Sequence, residues 1–223
     1  MKFAIALTAG LLVASPACAQ SADTGIRAGD VLLRVRAIMV APNERSGGIG
    51  PTFPSERVSV DNSFMPEVDV TYMASDNIGF ELIASTTKHN ASGTNGTTGA
   101  IGRLASTWVL PPTLTAQYHF NAHGRVRPYV GAGVNYTIFW NEKASPGLEA
   151  AVGKTRVSMT DSIGWAAQAG IDVDISRRVF VNFDAKYIKI RTTARLDTIA
   201  IGTQNVRIHL DPLVVGVGLG IRL

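Results

Sequence analysis

Apolar and polar residues alternate along most of this chain beyond its N-terminal segment. Residues 162–175 show the pattern most clearly, because one parity is wholly apolar, from Ile163 to Ile175, and the other is small or polar, from Ser162 to Asp174. Successive side chains of a β-strand point to opposite faces, so this alternation predicts a strand with one apolar side. A helix would scatter the same apolar residues around its axis.

Seven other segments repeat the alternation, which gives eight predicted strands. Their apolar positions begin at Val31, Val68, Ile78, Leu114, Val130, Ile163, Val179 and Leu213. Short polar links lie at 75–77, 121–124 and 176–178, and long links rich in Gly, Ser, Thr and Asn lie at 41–57, 88–107, 140–158 and 192–206. A soluble sandwich, the alternative, has no reason to sort its links by length. The sequence predicts an all-β fold, an eight-stranded antiparallel transmembrane β-barrel with short periplasmic turns and four longer extracellular loops.

The first residues have the pattern of a secretory signal peptide. Lys2 precedes an apolar run over 3–14, and Ala17-Cys18-Ala19 offers small residues for cleavage before Gln20. A lipoprotein signal, lipidated at Cys18, is the alternative, but Ser15 stands where such signals usually have Leu. We therefore predict a cleaved signal peptide at 1–19, a single barrel domain at 20–223, and export to the outer membrane of a Gram-negative bacterium.

Composition agrees with a membrane barrel and excludes several classes of site. The chain is 46% apolar and only 17% charged, whereas about 25% charged is usual for soluble domains. Without Lys2 it carries 20 basic and 17 acidic residues, spread out, so no nucleic-acid surface is indicated. The single cysteine, Cys18, lies in the predicted signal peptide, so disulfides and thiolate metal sites are not expected. No metal or cofactor is expected either.

The predicted strands place charged residues on their polar, inward faces. These are Arg34, Arg36, Glu67, Asp69, Glu81, Arg127, Asp172, Asp174, Asp184, Lys186 and Arg222. Eight strands enclose a narrow lumen that side chains nearly fill, and unpaired buried charge is costly. The near balance of five basic and six acidic residues in this set predicts a network of ion pairs that plugs the lower lumen. Ohmic conductance of porin size in a planar bilayer would contradict this hypothesis.

Several strings, in order along the chain, carry a family resemblance. They are Leu110-Pro111-Pro112 through Phe120, Arg127-Pro128-Tyr129 through Thr137, Thr71-Tyr72-Met73 with Asp76-Asn77-Ile78-Gly79, Asp161-Ser162 with the small residues that follow, and Asp211-Pro212. Together they resemble the OmpW family of outer-membrane barrels. The resemblance implies a hydrophobic groove in the outer half that passes small apolar molecules sideways into the membrane. Many such barrels end on an aromatic residue recognised by the assembly machinery, whereas this chain ends on Leu223.

Two sets of residues are candidates for such a groove. On the inner face they are Leu32, Ile38 and Ile83, and in or beside the long links they are Phe53, Phe64, Trp108, Phe139, Trp140 and Leu148. The alternatives are simple filling of a narrow lumen for the inner set, and an interfacial aromatic girdle for Trp108, Phe139 and Trp140.

Prolines mark the candidate exit, because proline cannot donate a hydrogen bond to a strand ladder. Pro66, Pro111 and Pro112 lie in or near the second and fourth predicted strands. They are candidates for a lateral gap, and the alternative is that they end or bend strands near the rim.

The function expected from sequence is passive passage of small hydrophobic compounds through the outer membrane. Its expected partners are those solutes, outer-membrane lipids with lipopolysaccharide, and the assembly machinery. The alternative is a structural or adhesive barrel, or a phage or bacteriocin receptor, acting through its loops. An enzyme is disfavoured, because His209 and Asp211 share one strand and no serine partner is evident.

Overall fold

The computed structural model describes residues 24–223, which form strands over most of their length. The predicted signal peptide at 1–19 lies outside the described residues. The strands are β1 (Val31–Ala41), β2 (Arg45–Ser46), β3 (Val58–Val60), β4 (Ser63–Met73), β5 (Ile78–Ser85), β6 (Thr87–Gly93), β7 (Arg103–Leu110), β8 (Thr113–His119), β9 (Val126–Ala144), β10 (Thr155–Met159), β11 (Ser162–Asp174), β12 (Val179–Ile188), β13 (Arg191–Thr198), β14 (Gly202–His209) and β15 (Leu213–Arg222). Two short helices are α1 (Gly96–Ile101) and α2 (Pro146–Val152). Neither these nor any other helix of residues 24–223 has the length and apolar character to cross a membrane.

Eight strands close into one antiparallel ring. Going round it, the order is β1, β4, β5, β8, β9, β11, β12 and β15, and the last strand pairs with the first, for example Leu33 with Ile221. Closure leaves the ring without an edge strand, which lipid would not tolerate. The predicted eight-stranded barrel is confirmed, and turns at 74–77, 120–125 and 175–178 join strands at one end of it, the short-turn end.

Above the ring, two sheets continue its wall at the opposite end. One contains the upper part of β9 with β7, β6 and β3, and the other contains β10, β13, β14 and β2. The long links predicted at 88–107, 140–158 and 192–206 therefore contain strands of their own. In β13, Thr192, Ala194 and Leu196 are buried while Arg191 and Arg195 are exposed, so alternation continues with the polar face outward.

The ring presents an apolar outer surface. Its exposed side chains include Val68, Val70, Phe80, Leu82, Leu114, Val130, Val134, Ile163, Trp165, Phe183, Val217 and Leu219. Aromatic pairs lie on this surface, with ring centroids 5.0 Å apart for Tyr118 and Phe120 and 5.3 Å apart for Trp165 and Tyr187. Such a band, flanked by aromatic residues, is the lipid-facing surface of a membrane barrel.

The short-turn end is closed by the start of the described chain. Ile26 is fully buried, and its backbone N–H donates to the carbonyl of Ala122 at 2.7 Å. It packs in a lower apolar cluster with Leu32, Met73 and Phe180. A larger upper apolar cluster lies between the two upper sheets, and the charged lumen lies between the two clusters.

Candidate functional site

An apolar cavity of about 330 Å³ lies inside the upper half of the molecule. The ring contributes residues that include Ile38, Ile83 and Val214, and the upper sheets and helices contribute most of the remaining wall. From the upper sheets and helices the lining includes Val58, Leu104, Val109, Phe139, Leu148, Val152, Ala194, Leu196, Val206 and Ile208. Most of these residues are buried. The volume falls within the usual range for a small-molecule site.

An ion pair forms the floor of this cavity. Lys186 and Glu67 line it from below, with Lys186 Nζ 2.6 Å from Glu67 Oε1. Both side chains are at most 3% exposed. A solute in the cavity therefore meets charge at the bottom and hydrocarbon on the walls.

Arg36 organises the first layer of the lumen beneath that floor. Its guanidinium lies 3.0 Å from Glu67, 2.7 Å from Asp69 and 2.7 Å from Glu81. Asp184 follows at 3.4 Å. Gathering carboxylates around one buried arginine compensates part of the cost of removing these charges from water.

Arg34 forms the next layer down. It contacts Asp69 at 2.9 Å and Asp172 at 3.1 Å. Its guanidinium carbon also lies 5.6 Å from the ring centroid of Tyr129 and 5.5 Å from that of Phe180, within cation–π range. These large side chains are almost wholly buried, so the lumen is filled rather than open at this level.

The inward charged residues predicted from sequence are mostly buried and ion-paired, and Arg127 pairs with Asp174 at 2.6 Å. Arg222 was also predicted in this set, and the structure corrects that prediction. It lies near the end of β15, and its side chain donates to the carbonyl of Arg177 at a short turn. Without Arg222, the buried lumen holds six acidic and four basic residues, as the described residues show.

Glycines on the inner face leave the room that these side chains fill. A Cβ at Gly170 would lie 2.4 Å from the Tyr129 ring, and one at Gly220 would lie 2.2 Å from the Phe180 ring. Both distances are far inside van der Waals contact. The inner glycines are therefore part of the plug, since bulk at either position would displace an aromatic ring that packs on Arg34.

The structure separates the candidate groove residues into two groups. Ile38, Ile83 and Phe53 line the cavity. Leu32 and Phe64 do not, and both expectations are corrected. Leu32 lies inward but near the start of β1, where it joins the lower cluster. Phe64 is 72% exposed, because it shares the outward parity of its strand.

The candidate residues of the long links also fall into two groups, those that line the cavity and those that do not. Phe139 is buried and lines the cavity, as does Leu148. Trp108 and Trp140 are opposite each other in the β7–β9 ladder, and their ring centroids lie 5.6 Å apart. Neither lines the cavity, and Trp140 is 45% exposed. Their position is that of an outer aromatic pair, which corrects the expectation that they line the groove.

Residues 84–86, the end of β5 and its link to β6, form a segment that we call the seam, and the candidate gap prolines lie on both sides of it. The ladder between β4 and β5 ends at Glu67 and Ser85, and Ser85 Oγ donates to the carbonyl of Pro66 at 3.1 Å. On the other side, the ladder stops at Ile83 with Thr113 and resumes at Thr87 with Val109.

The interrupted stretch faces Pro111 and Pro112, whose carbonyls accept from the side chain of Asn135 at 3.2 and 3.3 Å. Thr86 Oγ1 is buried and has no hydrogen-bond partner among the described residues. Ser85 and Pro111 line the cavity, so this weak seam is part of the cavity wall.

His89 lies beside the same seam on β6. Its Nδ1 is 2.9 Å from the carbonyl of Asp61, and its Nε2 is 3.0 Å from Thr87 Oγ1. Burial in the cavity wall lowers the pKa of His89 below its usual value, although the hydrogen bond to Asp61 opposes this. A neutral imidazole therefore links β6 to the segment before β4.

Asp211, weighed from the sequence together with His209 as part of a catalytic triad, makes other contacts. Asp211 is fully buried and contacts Lys189 Nζ at 2.5 Å, and it also accepts from the backbone N–H of Ile190 at 3.3 Å. Its contacts are structural rather than those of a triad. Among residues 24–223, no group of three or more potential metal ligands occurs.

The lining residues that sequence reasoning missed belong mainly to β13 and β14. Leu196 and Val206 lie in the predicted long link at 192–206, and Ile208 lies just after it. The sequence did contain a pattern that indicates these strands. Ala194 and Leu196 alternate with Arg195 and other polar residues, but here the apolar side chains face inward.

Comparison with known proteins identifies relatives along nearly the whole chain. A family model described as "OmpW family" matches residues 27–223. "Outer membrane protein W" of Escherichia coli is 39% identical over 197 residues, 87% of this chain and 89% of that protein. An "Uncharacterized outer-membrane protein y4mB" of Sinorhizobium fredii is 34% identical over 223 residues, 99% of this chain and 91% of that protein.

Among solved structures, the outer membrane protein OprG from Pseudomonas aeruginosa superposes with a TM-score of 0.83 at 29% identity. The match covers 89% of this chain and 98% of OprG. The relatives are outer-membrane barrel proteins, and the described barrel has the same architecture. The protein is therefore located in the outer membrane, with its short-turn end periplasmic and its upper sheets extracellular.

Proposed function

The chain belongs to the OmpW family, and on that premise we propose that it lets small hydrophobic compounds pass the outer membrane through its apolar cavity. The observation that carries this proposal is the position of the cavity. It lies directly above a lumen filled by buried charge, with Glu67 and Lys186 as its floor. An apolar solute that enters from the extracellular side binds to the apolar walls and does not pass the charged floor.

The cavity favours hydrocarbon because its walls are almost entirely apolar. Removing a solute from water contributes about 0.8 kcal/mol per buried methylene. A solute of a few carbons therefore gains enough free energy to leave water for the cavity. No energy source or cofactor is needed, so passage is passive and follows the solute gradient.

The solute leaves sideways in this proposal. The wall is weakest at residues 84–86, where Pro66 lies on one side and Pro111 and Pro112 lie on the other. Leu82 and Leu114, just below this seam, are half exposed on the outer surface. A solute that parts the seam thus enters the lipid-facing band without crossing the charged lumen.

Uptake by whole cells tests the proposal. Cells that lack the protein are compared with cells that carry it or a Leu196→Asn variant, and uptake of a labelled medium-chain hydrocarbon is measured. We expect faster uptake with the wild type only, because Leu196 lines the cavity and an amide there places an unsatisfied polar group on its wall. Equal uptake in all three, with folding confirmed, would refute passage and favour a structural or receptor role of the loops.

A further inference from the structure

A row of arginines crosses the outer surface of the sheet formed by β10, β13, β14 and β2. In the ladders, Arg191 is opposite His209, and His209 is opposite Arg45, so the three side chains lie on one face. Arg207 follows on the same face, opposite Thr193. Cross-strand neighbours lie about 5 Å apart, so these positions form one compact group. We call Arg45, Arg191 and Arg207 the basic face.

The charges of the basic face are not neutralised by the protein. Within residues 24–223, the side chains of its three arginines make no ion pair or hydrogen bond, and all three are exposed. The neighbouring cations differ in this respect. Arg195 is held by Asp197 at 3.0 Å, and Lys189 by Asp211 at 2.5 Å.

The basic face lies just above the lipid-facing band. On the strand that runs from β12 into β13, the outward residues are Tyr187, then Lys189, then Arg191. Tyr187 pairs with Trp165 at the end of the apolar surface. A strand rises about 3.3 Å per residue, which places Arg191 roughly 13 Å along the strand from Tyr187. That is the level of lipid headgroups rather than of hydrocarbon.

A recess of about 540 Å³ opens on the same face. Its wall contains Arg207, Thr193 and Asn205, together with the glycine-rich segment 47–51. Gly47 donates its backbone N–H to Arg207 and Gly50 to Asn205, so this segment is fixed beside the arginine. The recess therefore adds hydroxyl and amide groups to a cationic site.

The opposite upper wall has different chemistry at the corresponding level. There Lys88 is opposite Trp108, and Trp108 is opposite Trp140. Asp61 lies close by, bonded to Asn90. The compact group of three arginines thus lies on one side of the barrel circumference.

We propose that the basic face binds the phosphorylated headgroup of the glycolipid that forms the outer leaflet, with a lipid phosphate held between Arg45, Arg191 and Arg207. Guanidinium groups bind phosphate oxygens through paired hydrogen bonds. Basic clusters at headgroup level attract anionic lipids. This inference rests on the outer-membrane location and the surface chemistry, not on passage of apolar solutes, so either can fail without the other.

Lipid binding by the mature protein in detergent tests the proposal. The purified protein is titrated with diphosphorylated lipid A, and bound lipid is counted by native mass spectrometry. The test variant carries Arg45→Gln, Arg191→Gln and Arg207→Gln. A matched control removes three exposed cations from the opposite sheet, by Lys88→Gln, Arg103→Gln and Lys143→Gln. A heat-modifiable gel shift confirms that all forms are folded.

We expect the test variant to bind lipid A at least about tenfold more weakly than the wild type, and the control to change by less than about twofold. Dephosphorylated lipid A should bind the wild type no better than lipid A binds the test variant. Equal loss in test and control variants would overturn the proposal, as would undiminished binding of the dephosphorylated lipid. Displacement of lipid A by millimolar inorganic phosphate would assign the site to free anions instead.

Discussion

The lower lumen and the upper interior of this barrel are built with the same alternation of inward and outward side chains, but their chemistry is opposite. Along β12 and β13, the buried residues change from Asp184 and Lys186 to Ile188, Ala194 and Leu196. The outward residues change in the reverse sense, from apolar to polar. The strand pattern continues unbroken across this inversion.

The difference shows what decides the content of a barrel interior. Where the outside is hydrocarbon, the inside can be polar only if its charges satisfy one another, as those around Arg36 do. Where the outside is water, apolar residues turn inward and leave a hydrophobic cavity. The boundary between the two regions, at Glu67 and Lys186, is therefore both the floor of the cavity and the top of the plug.

The largest expected effect comes from breaking the lower region at Arg36. Arg36→Met leaves Glu67, Asp69 and Glu81 short of a partner, and removing one member of a buried ion network costs about 3–5 kcal/mol. Urea unfolding of the protein refolded into vesicles measures this loss. Arg222→Met is the matched control, because Arg222 lies outside the network, and its cost should stay within about 0.5 kcal/mol. Equal costs for the two variants would contradict the network.

A smaller effect is expected from making the upper interior polar. Leu196→Asn buries an amide on the cavity wall at a cost of about 1–3 kcal/mol, and hydrocarbon uptake should fall to the level of cells that lack the protein. The neighbouring Arg195 points to the opposite, outer face. Arg195→Asn should leave uptake unchanged, and a fall as large as that of Leu196→Asn would show that the cavity is not the route.

Strengthening the seam tests the exit without altering the cavity chemistry. Pro111→Val restores a backbone donor to the interrupted ladder, which is expected to stabilise the wall and to reduce hydrocarbon uptake by about half or more. Pro128→Val is the control, since Pro128 lies low in β9, in a ladder that is already paired. Undiminished uptake by the Pro111 variant would count against a lateral exit at this position.

The smallest effect concerns His89 and pH. Its pKa is lowered in the folded protein, so acid favours the unfolded state, which binds the proton more readily. Stability from this group is complete above the ordinary histidine pKa of about 6.5 and declines as the pH falls below it. Urea midpoints of the wild type should decrease over that window, and His89→Gln should remove part of the decrease. An unchanged pH dependence in His89→Gln would exclude this role.

Sequence alone predicted the lower region well because lipid imposes a simple rule on it. Val68, Val70 and Tyr72 had to face outward, which fixed the inward positions of Glu67 and Asp69. The upper region was harder to predict, because β13 and β14 alternate with the opposite polarity and their Gly, Thr and Asn content is typical of loops. Parity alone would have placed Phe64 outside.

The alternation of side chains along a strand also does not show how deep in the barrel an inward residue lies. Leu32 and Ile38 share the inner face of β1, yet Leu32 packs in the lower cluster and Ile38 lines the cavity. Six residues separate them, roughly 20 Å along the strand. Arg222 was misplaced for the same reason, since it lies at the periplasmic end, below the network.

The most direct test of the account is to locate an apolar solute inside the barrel. A diazirine-labelled alkane is photoactivated in vesicles that contain the protein, and labelled residues are identified by mass spectrometry. We predict labelling of inward-facing residues of the upper interior, such as Ile38, Val206 and Ile208, and none of the inward-facing residues around Arg34 and Asp172. Labelling of the lower lumen would contradict the account, because it would mean that apolar solutes cross the charged plug.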